Sequence, residues 1–292
     1  MNAFVFPGQG TQFPGMGFEL YKKSAFSKKL FETANKILNF RISDFMFEGT
    51  AKELSQTKIT QLAVFLHSVI ATKNLNNFNP KMVAGHSLGE FSALVVSESL
   101  SFEDGLLLVY KRALAMQKAC DSNPGTMAAI IGISETIVEE TCNEIEKEIV
   151  VPANYNCPEQ IVISGTLEGI NIACKLLLKK GAKHVLKLNV NGAFHSPLME
   201  QAKDELAEAI SSITFTNPIC PIYQNVTAKG EIVSTTIKNN LISQLISPVK
   251  WKQSIENMIT DGAINFTEIG PGNVLKRLIQ KINSSVILTN IK

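Results

Sequence analysis

The stretch Met82-Val83-Ala84-Gly85-His86-Ser87-Leu88-Gly89-Glu90 constrains this chain more than any other. Short apolar residues run into Gly85-x-Ser87-x-Gly89 and then into an amphipathic segment from Phe91 to Ser97. That is the pattern of a strand, a sharp turn and a helix with a nucleophilic serine at the tip. Positions 85 and 89 must lack side chains because strand and helix pass so close, and the strained turn pushes the Ser87 hydroxyl outward. A helix starting just after Ser87 also points its free N–H groups at negative charge developing on an attacked carbonyl. Any fold proposed for the chain has to place a strand–turn–helix unit here.

The N-terminal Met1-Asn2-Ala3-Phe4-Val5-Phe6 reads as a strand that starts at once; it has no basic region and too short an apolar run for a signal peptide. Pro7-Gly8-Gln9-Gly10-Thr11-Gln12-Phe13 follows. Phe13 stands where a dinucleotide fingerprint needs its third glycine, so the loop is read as a backbone approach to a ligand, with the Gln9 main chain a candidate oxyanion donor, or as a plain tight turn. Residues 24 to 40 and 51 to 56 read as surface helices and Ile59 to Asn74 as a buried one. On that helix His67 is expected to be a packed, hydrogen-bonded core residue and Gln61 to serve the surface, with lining a pocket as the alternative. A longer helix from Ser101 to Ala119 has Ser101 as N-cap. Its Arg112 lies among Leu108, Val109, Ala115 and Met116, with no carboxylate in local reach. A buried charge left alone is costly, so the residues alone favour a distant Asp or Glu as its partner, with an anionic ligand as the alternative.

From residue 124 the pattern changes. Strands at Thr126 to Gly132, Val150 to Tyr155, Gln160 to Ser164 and His184 to Val190 alternate with helices at Ser134 to Glu148 and Leu167 to Lys180. This β-α-β-β-α-β order over 124–191 predicts a ferredoxin-like subdomain, with His184 a partly buried strand-end residue. It interrupts an α/β domain made of 1–123 and 192–292. In the second part, short strands at Pro221 to Val226, Ile264 to Ile269 and Ser285 to Leu288 alternate with helices at Pro197 to Ile210, Ile237 to Ile246, Lys252 to Asp261 and Val274 to Ile282. Such alternation implies a parallel sheet covered on both faces, with Ser87, Gln9, Asn225 and Gly270-Pro271-Gly272 along one edge.

A serine needs a base within hydrogen-bond reach. His195, in Gly192-Ala193-Phe194-His195-Ser196-Pro197, sits on a loop between a strand and a proline-started helix, where such a group belongs. His86 is the weaker candidate, because successive side chains on an extended segment point apart. Asp204, Glu205 and Glu268 carry no motif that would make one of them a third member, and a backbone carbonyl can orient the imidazole instead. At 292 residues the chain can bury roughly 75% of its unfolded surface without disulfide or metal. A net charge of +2 excludes the basic field of a nucleic-acid binder, and no run approaches the ~18 apolar residues of a membrane span. Five scattered cysteines, with no paired spacing, favour reduced thiols in the cytoplasm over a disulfide framework or a zinc site.

Phe6-Pro7-Gly8-Gln9-Gly10, Gly85-His86-Ser87-Leu88-Gly89-Glu90, Tyr110-Lys111-Arg112, Asn154-Tyr155-Asn156, Gly192-Ala193-Phe194-His195-Ser196, Gln244-Leu245 with Pro248-Val249-Lys250-Trp251, and Glu268-Ile269-Gly270-Pro271-Gly272 occur in the order found in malonyl-CoA:acyl carrier protein transacylases. The chain resembles that family over essentially its whole length. The resemblance implies an α/β-hydrolase-like domain with an inserted ferredoxin-like subdomain, and malonyl transfer from malonyl-CoA to the phosphopantetheine thiol of acyl carrier protein. It implies Ser87 as nucleophile, His195 as base, the Gln244 carbonyl as its orienter, and the Gln9 and Leu88 amides as oxyanion hole. Arg112 would bind the malonyl carboxylate, His86 is a family feature beside the serine, and Phe194 belongs to a malonyl-selecting form of its loop. No cofactor or metal is expected, and a cytoplasmic monomer is. The rival readings are a serine thioesterase or other hydrolase, a malonyl loader of a malonate decarboxylase carrier protein, and a non-catalytic module that keeps only the fold.

Overall fold

In the computed structural model, which describes residues 1–292, the chain builds two sheets. Strand β1 (Asn2–Phe6) is buried from Ala3 onward. The short helices α1 (Phe18–Lys23), α2 (Ala25–Leu38), α3 (Ile42–Phe47) and α4 (Ala51–Leu54) lead to α5 (Thr57–Lys73), which is buried at every position from Ile59 to Thr72. Then come β2 (Met82–Gly85), α6 (Gly89–Val96) and α7 (Phe102–Ser122), whose N-cap Ser101 accepts a bond from the Asp104 amide.

The chain next enters β3 (Gly125–Ile131), α8 (Glu135–Asn143), β4 (Val150–Cys157), β5 (Gln160–Thr166), α9 (Leu167–Lys179) and β6 (His184–Lys187). These strands pair antiparallel in the order β4-β5-β3-β6, the ferredoxin-like arrangement. The remainder is α10 (Glu200–Ser211), β7 (Ile222–Tyr223), β8 (Gly230–Glu231), α11 (Ser234–Ser243), α12 (Trp251–Thr260), β9 (Asn265–Ile269), α13 (Val274–Ile282) and β10 (Ile287–Ile291). The first sheet runs β10-β9-β1-β2-β7-β8, parallel throughout except that β8 turns back against β7.

Strand alternation sorts the core. On β1, Phe4 and Phe6 enter the largest apolar cluster, with α5, α6 and α7, while Ala3 and Val5 face Trp251, Ile255 and Met258 of α12 and Leu275, Leu278 and Ile279 of α13. The largest cluster also takes Met127 and Ala129 of β3, Ala153 of β4 and Val162 of β5, so one face of the second sheet packs on the same core as the first. The opposite face carries α8 and α9 over a separate cluster. Backbone bonds tie the loop before α12 to β4 of the second sheet at Val249, whose amide donates to Ala153 O at 2.8 Å and whose carbonyl accepts from the Tyr155 amide at 2.9 Å.

Several elements differ from the sequence reading. The six-residue α1 and α3 are too short to show a helical period, and β8 is a two-residue strand with no alternation to read. α8 ends at Asn143, not Glu148, and β6 ends at Lys187, not Val190. Being an edge strand, β6 leaves His184 exposed and Leu186 at 53% exposure, so His184 is not the half-buried residue expected. All five cysteines are free and buried, and no helix is long and apolar enough to cross a membrane.

Candidate active site

The elbow lies between β2 and α6, with Ser87 at φ 52, a conformation that costs a residue with a side chain. A Cβ on Gly85 would fall 1.9 Å from Gly89 C, and one on Gly89 would fall 2.0 Å from Phe6 O, so glycine is required at both places. A Cβ on Gly8 would lie 2.5 Å from His86 O, which shows how closely the loop after β1 lies against the elbow. That loop carries Gln9, and neither the Gln9 nor the Leu88 amide is used by another backbone group. Both amides are therefore free to donate to a substrate oxygen.

The strained turn is held by side chains from later in the chain. Asn225 bridges it, accepting from the Ser87 amide at 2.7 Å and donating to Gly85 O at 2.6 Å. Gln244 Nε2 donates to Ser87 O at 3.1 Å. Behind them Glu90, at 0% exposure, accepts from the Asn225 amide at 2.8 Å and from Gln224 Nε2 at 3.0 Å. Burial first pushes the Glu90 carboxyl up, against the pull of these donors and of Arg112.

His195 lies on the loop between β6 and α10, also in the left-handed region at φ 58, with Nε2 2.8 Å from Ser87 Oγ. Its Nδ1 is 2.9 Å from Gln244 O and 3.1 Å from Ser247 O. Carbonyls only accept, so Nδ1 carries the hydrogen and the Nε2 lone pair faces the serine. Burial, and next the Arg112 cation, push the imidazole down to about 3, against the two carbonyls, so the ring is neutral at pH 7 and able to accept a proton. No carboxylate completes a triad: Glu205 pairs with Lys118 at 2.6 Å, Asp204 lies 3.9 Å from Lys203, and Glu268 accepts from the Leu275 and Lys276 amides at the start of α13.

Arg112 is 1% exposed and has no carboxylate in ion-pair contact, so the distant Asp or Glu favoured from the residues alone is not its partner. Its Nη1 donates to Gln61 Oε1 at 2.7 Å, and its Nη2 to Ser87 Oγ at 3.0 Å and Gln244 Oε1 at 3.3 Å. Nε is buried with no partner. Burial draws the guanidinium down to about 10, with Glu90 acting against this, and it stays charged at pH 7. Gln61, expected at the surface, is fully buried against Arg112; a glutamine inside a helix apolar on all sides was the available sign.

His86 turns away from the serine, with Nε2 2.9 Å from Asn156 Oδ1 and its ring 5.6 Å from that of Trp251. Phe194 is packed into the main core next to His195, and a Cβ on Gly192 would meet its ring at 2.8 Å. Leu88 is likewise buried in that core, leaving its amide as the part available to a ligand. The structure thus gathers Ser87, His195, Gln244 and Arg112 in direct contact and sets Gln9 and Leu88 on the adjoining backbone. Sequence reasoning preferred the surface to a pocket for Gln61, placed Asn225 on the edge beside Ser87, and did not find Gln224, Ser247 or the bond between Asn225 and Glu90. No group of three or more His, Cys, Asp or Glu stands where it could hold a metal ion.

A family model described as the acyl transferase domain matches residues 3–288. The malonyl CoA-acyl carrier protein transacylase of Bacillus subtilis (strain 168) is 41% identical over 285 residues, which is 96% of this chain and 90% of that protein. The crystal structure of an acyl carrier protein S-malonyltransferase from Vibrio cholerae is similar at a TM-score of 0.96 and 36% identity, covering 100% of this chain and 96% of the other. A malonyl-transacylase in complex with a type II PKS acyl-carrier protein is similar at a TM-score of 0.94 and 34% identity, covering 99% and 94%. With a family match over nearly its whole length and relatives of this identity, the chain belongs to the malonyl CoA-acyl carrier protein transacylases of the acyl transferase domain family.

Proposed function

We propose that this chain transfers a malonyl group from malonyl-CoA to the phosphopantetheine thiol of acyl carrier protein, in fatty-acid synthesis, through a malonyl ester on Ser87. His195 Nε2 takes the Ser87 proton as Oγ attacks the thioester carbonyl, and the Gln9 and Leu88 amides donate to the oxyanion. The C–S bond breaks and the imidazolium returns its proton to the coenzyme A sulfur. In the second half the carrier's thiol gives its proton to His195 and attacks the ester. The C–O bond breaks, and Ser87 Oγ recovers a proton. Gln244, with its carbonyl on Nδ1, keeps His195 in the tautomer both halves need.

One observation carries the choice of malonate: a buried guanidinium with no carboxylate partner lies 3.0 Å from the nucleophile, which is itself 2.8 Å from the base. A planar cation so placed, with an unused Nε, suits an acyl group that ends in a carboxylate. His86 and Phe194 support the site from behind, through the Asn156 bond and core packing. The proposed setting is a cytoplasmic monomer, in keeping with five free, buried thiols.

Labelled malonyl-CoA, with and without acyl carrier protein, tests the reading by intact-protein mass. The expected result is a malonyl adduct on wild type and none on Ser87→Ala, with the label moving to the carrier when it is added. Release as free malonate in place of transfer would make the chain a hydrolase. An adduct persisting in Ser87→Ala would place the nucleophile elsewhere.

A further inference from the structure

Arg112 offers a carboxylate one edge. Its Nη1 is held by Gln61 Oε1 at 2.7 Å, while Nε is buried without a partner. Two parallel bonds to a planar carboxylate are therefore available along Nε and Nη2. Nη2 is already engaged by the reacting group: it donates to Ser87 Oγ at 3.0 Å, with a longer contact of 3.3 Å to Gln244 Oε1. Because two carbonyls hold the hydrogen on His195 Nδ1, the Ser87 hydroxyl donates to Nε2, and the bond from Arg112 lies on an Oγ lone pair. A lone pair held by a cation is a poorer nucleophile. The same cation also opposes the positive charge that His195 must acquire when it takes the proton.

Resting on the malonyl-transfer reading, we propose that Arg112 also makes acylation conditional on a carboxylate in the substrate: a carboxylate docking along Nε and Nη2 draws the Nη2 hydrogen away from Ser87 Oγ and neutralises the guanidinium beside the dyad. The charge of the substrate thereby frees the nucleophile that attacks it. An acyl-CoA without a carboxylate meets a Ser87 whose lone pair is still engaged. Selectivity then resides in the reactivity of Ser87 as well as in binding.

The test separates reactivity from binding by using a reagent with no carboxylate. Phenylmethylsulfonyl fluoride sulfonylates a serine with loss of fluoride, and its addition to Ser87 is followed by intact-protein mass at pH 7. Wild type, Arg112→Ala and Arg112→Gln are compared, each in sodium formate and in sodium chloride of equal ionic strength. Both variants should react about tenfold faster than wild type in chloride, the effect of removing one charge-assisted bond to the nucleophile. Formate should raise the wild-type rate toward theirs and leave theirs unchanged. A wild-type rate that stays level or falls in formate overturns the proposal, as do variants that fold and react no faster than wild type. The formate arm uses wild type alone, so it decides even if the variants do not fold. Malonyl-CoA labelling of the same wild-type preparation tests the parent reading separately. A malonyl adduct without a formate effect removes only the conditional activation. A formate effect without a malonyl adduct keeps the activation and replaces malonate with another carboxylate-bearing acyl group.

Discussion

At the scale of single residues, the proposed chemistry depends on a histidine kept neutral by its surroundings. Burial and the nearby Arg112 hold His195 at about 3, so over the working pH range its Nε2 is unprotonated. The acid limb of kcat/KM for malonyl-CoA should therefore lie well below the ordinary histidine value of ~6.5, with acylation nearly flat from about pH 8 to about pH 5. Stopped-flow acylation across that range checks it; a limb centred near 6.5 would mean that another group is the base. His195→Ala should slow acylation by ~100-fold, the usual loss for a general base, with the melting temperature little changed. Much at this scale was legible. Ser87, His195 and Gln9 could be found because glycines and strand ends mark their loops, and the resemblance added Gln244. Gln61 was set at the surface although the buried helix around it was the sign that it faces inward. Ser247 contributes only a carbonyl, which every residue has.

At the scale of elements, the elbow is a shape imposed by close approach and held by hydrogen bonds. Gly89→Ala would drive a Cβ to 2.0 Å from the carbonyl oxygen of Phe6 in β1, and neither backbone can yield without parting β1 from β2. Gly10→Ala meets nothing within 4 Å and faces only the strain of φ +100. Thermal unfolding should rank them clearly: loss of the folded state or more than ~3 kcal/mol for Gly89→Ala, and ~1 kcal/mol for Gly10→Ala. Asn225→Ala removes both bonds across the turn and leaves the Ser87 amide unpaired, so it should lower kcat by ~10- to 100-fold while KM for malonyl-CoA stays within a factor of ~2. A matched fall in kcat and rise in KM would instead mean that Asn225 only supports the fold. Elements with a clear period, such as α5, α7, α9 and α13, were readable to within a few residues. The two-residue β8 was not, because its place in the sheet comes from its neighbour and no pattern of its own marks it, and β7 is shorter than the strand read at Pro221 to Val226. The brace of Asn225 and Glu90 joins positions 135 apart in sequence, and no local signal links them.

At the scale of the whole molecule, the second sheet does not stand apart. Met127, Ala129, Ala153 and Val162 are buried in the same cluster as α5, α6 and α7, so melting either sheet exposes the apolar face of the other. Calorimetry should show one transition, with van't Hoff and calorimetric enthalpies equal, where loosely joined domains would give two. Its midpoint should fall in acid. Burial lowers His67 to about 4 and His195 to about 3, so between about pH 6 and pH 4 the unfolded chain binds protons that the folded one refuses. Their stabilisation is complete above the unfolded value of ~6.5 and is lost as pH drops, at about 1.4 kcal/mol per pH unit for each histidine. Glu90 and Glu268, whose carboxyls burial raises, act in the opposite sense and reduce the slope. A midpoint that held steady from pH 7 to pH 5 would show that one or both rings are hydrated. The segment from Gln244 to Val249 has a mechanical consequence. Its first carbonyl and that of Ser247 hold the imidazole, and Val249 is hydrogen-bonded into β4. Those few residues act as a lever between the second sheet and His195. A molecule that wedged the sheets apart, far from the serine, would slow turnover without competing for the substrate.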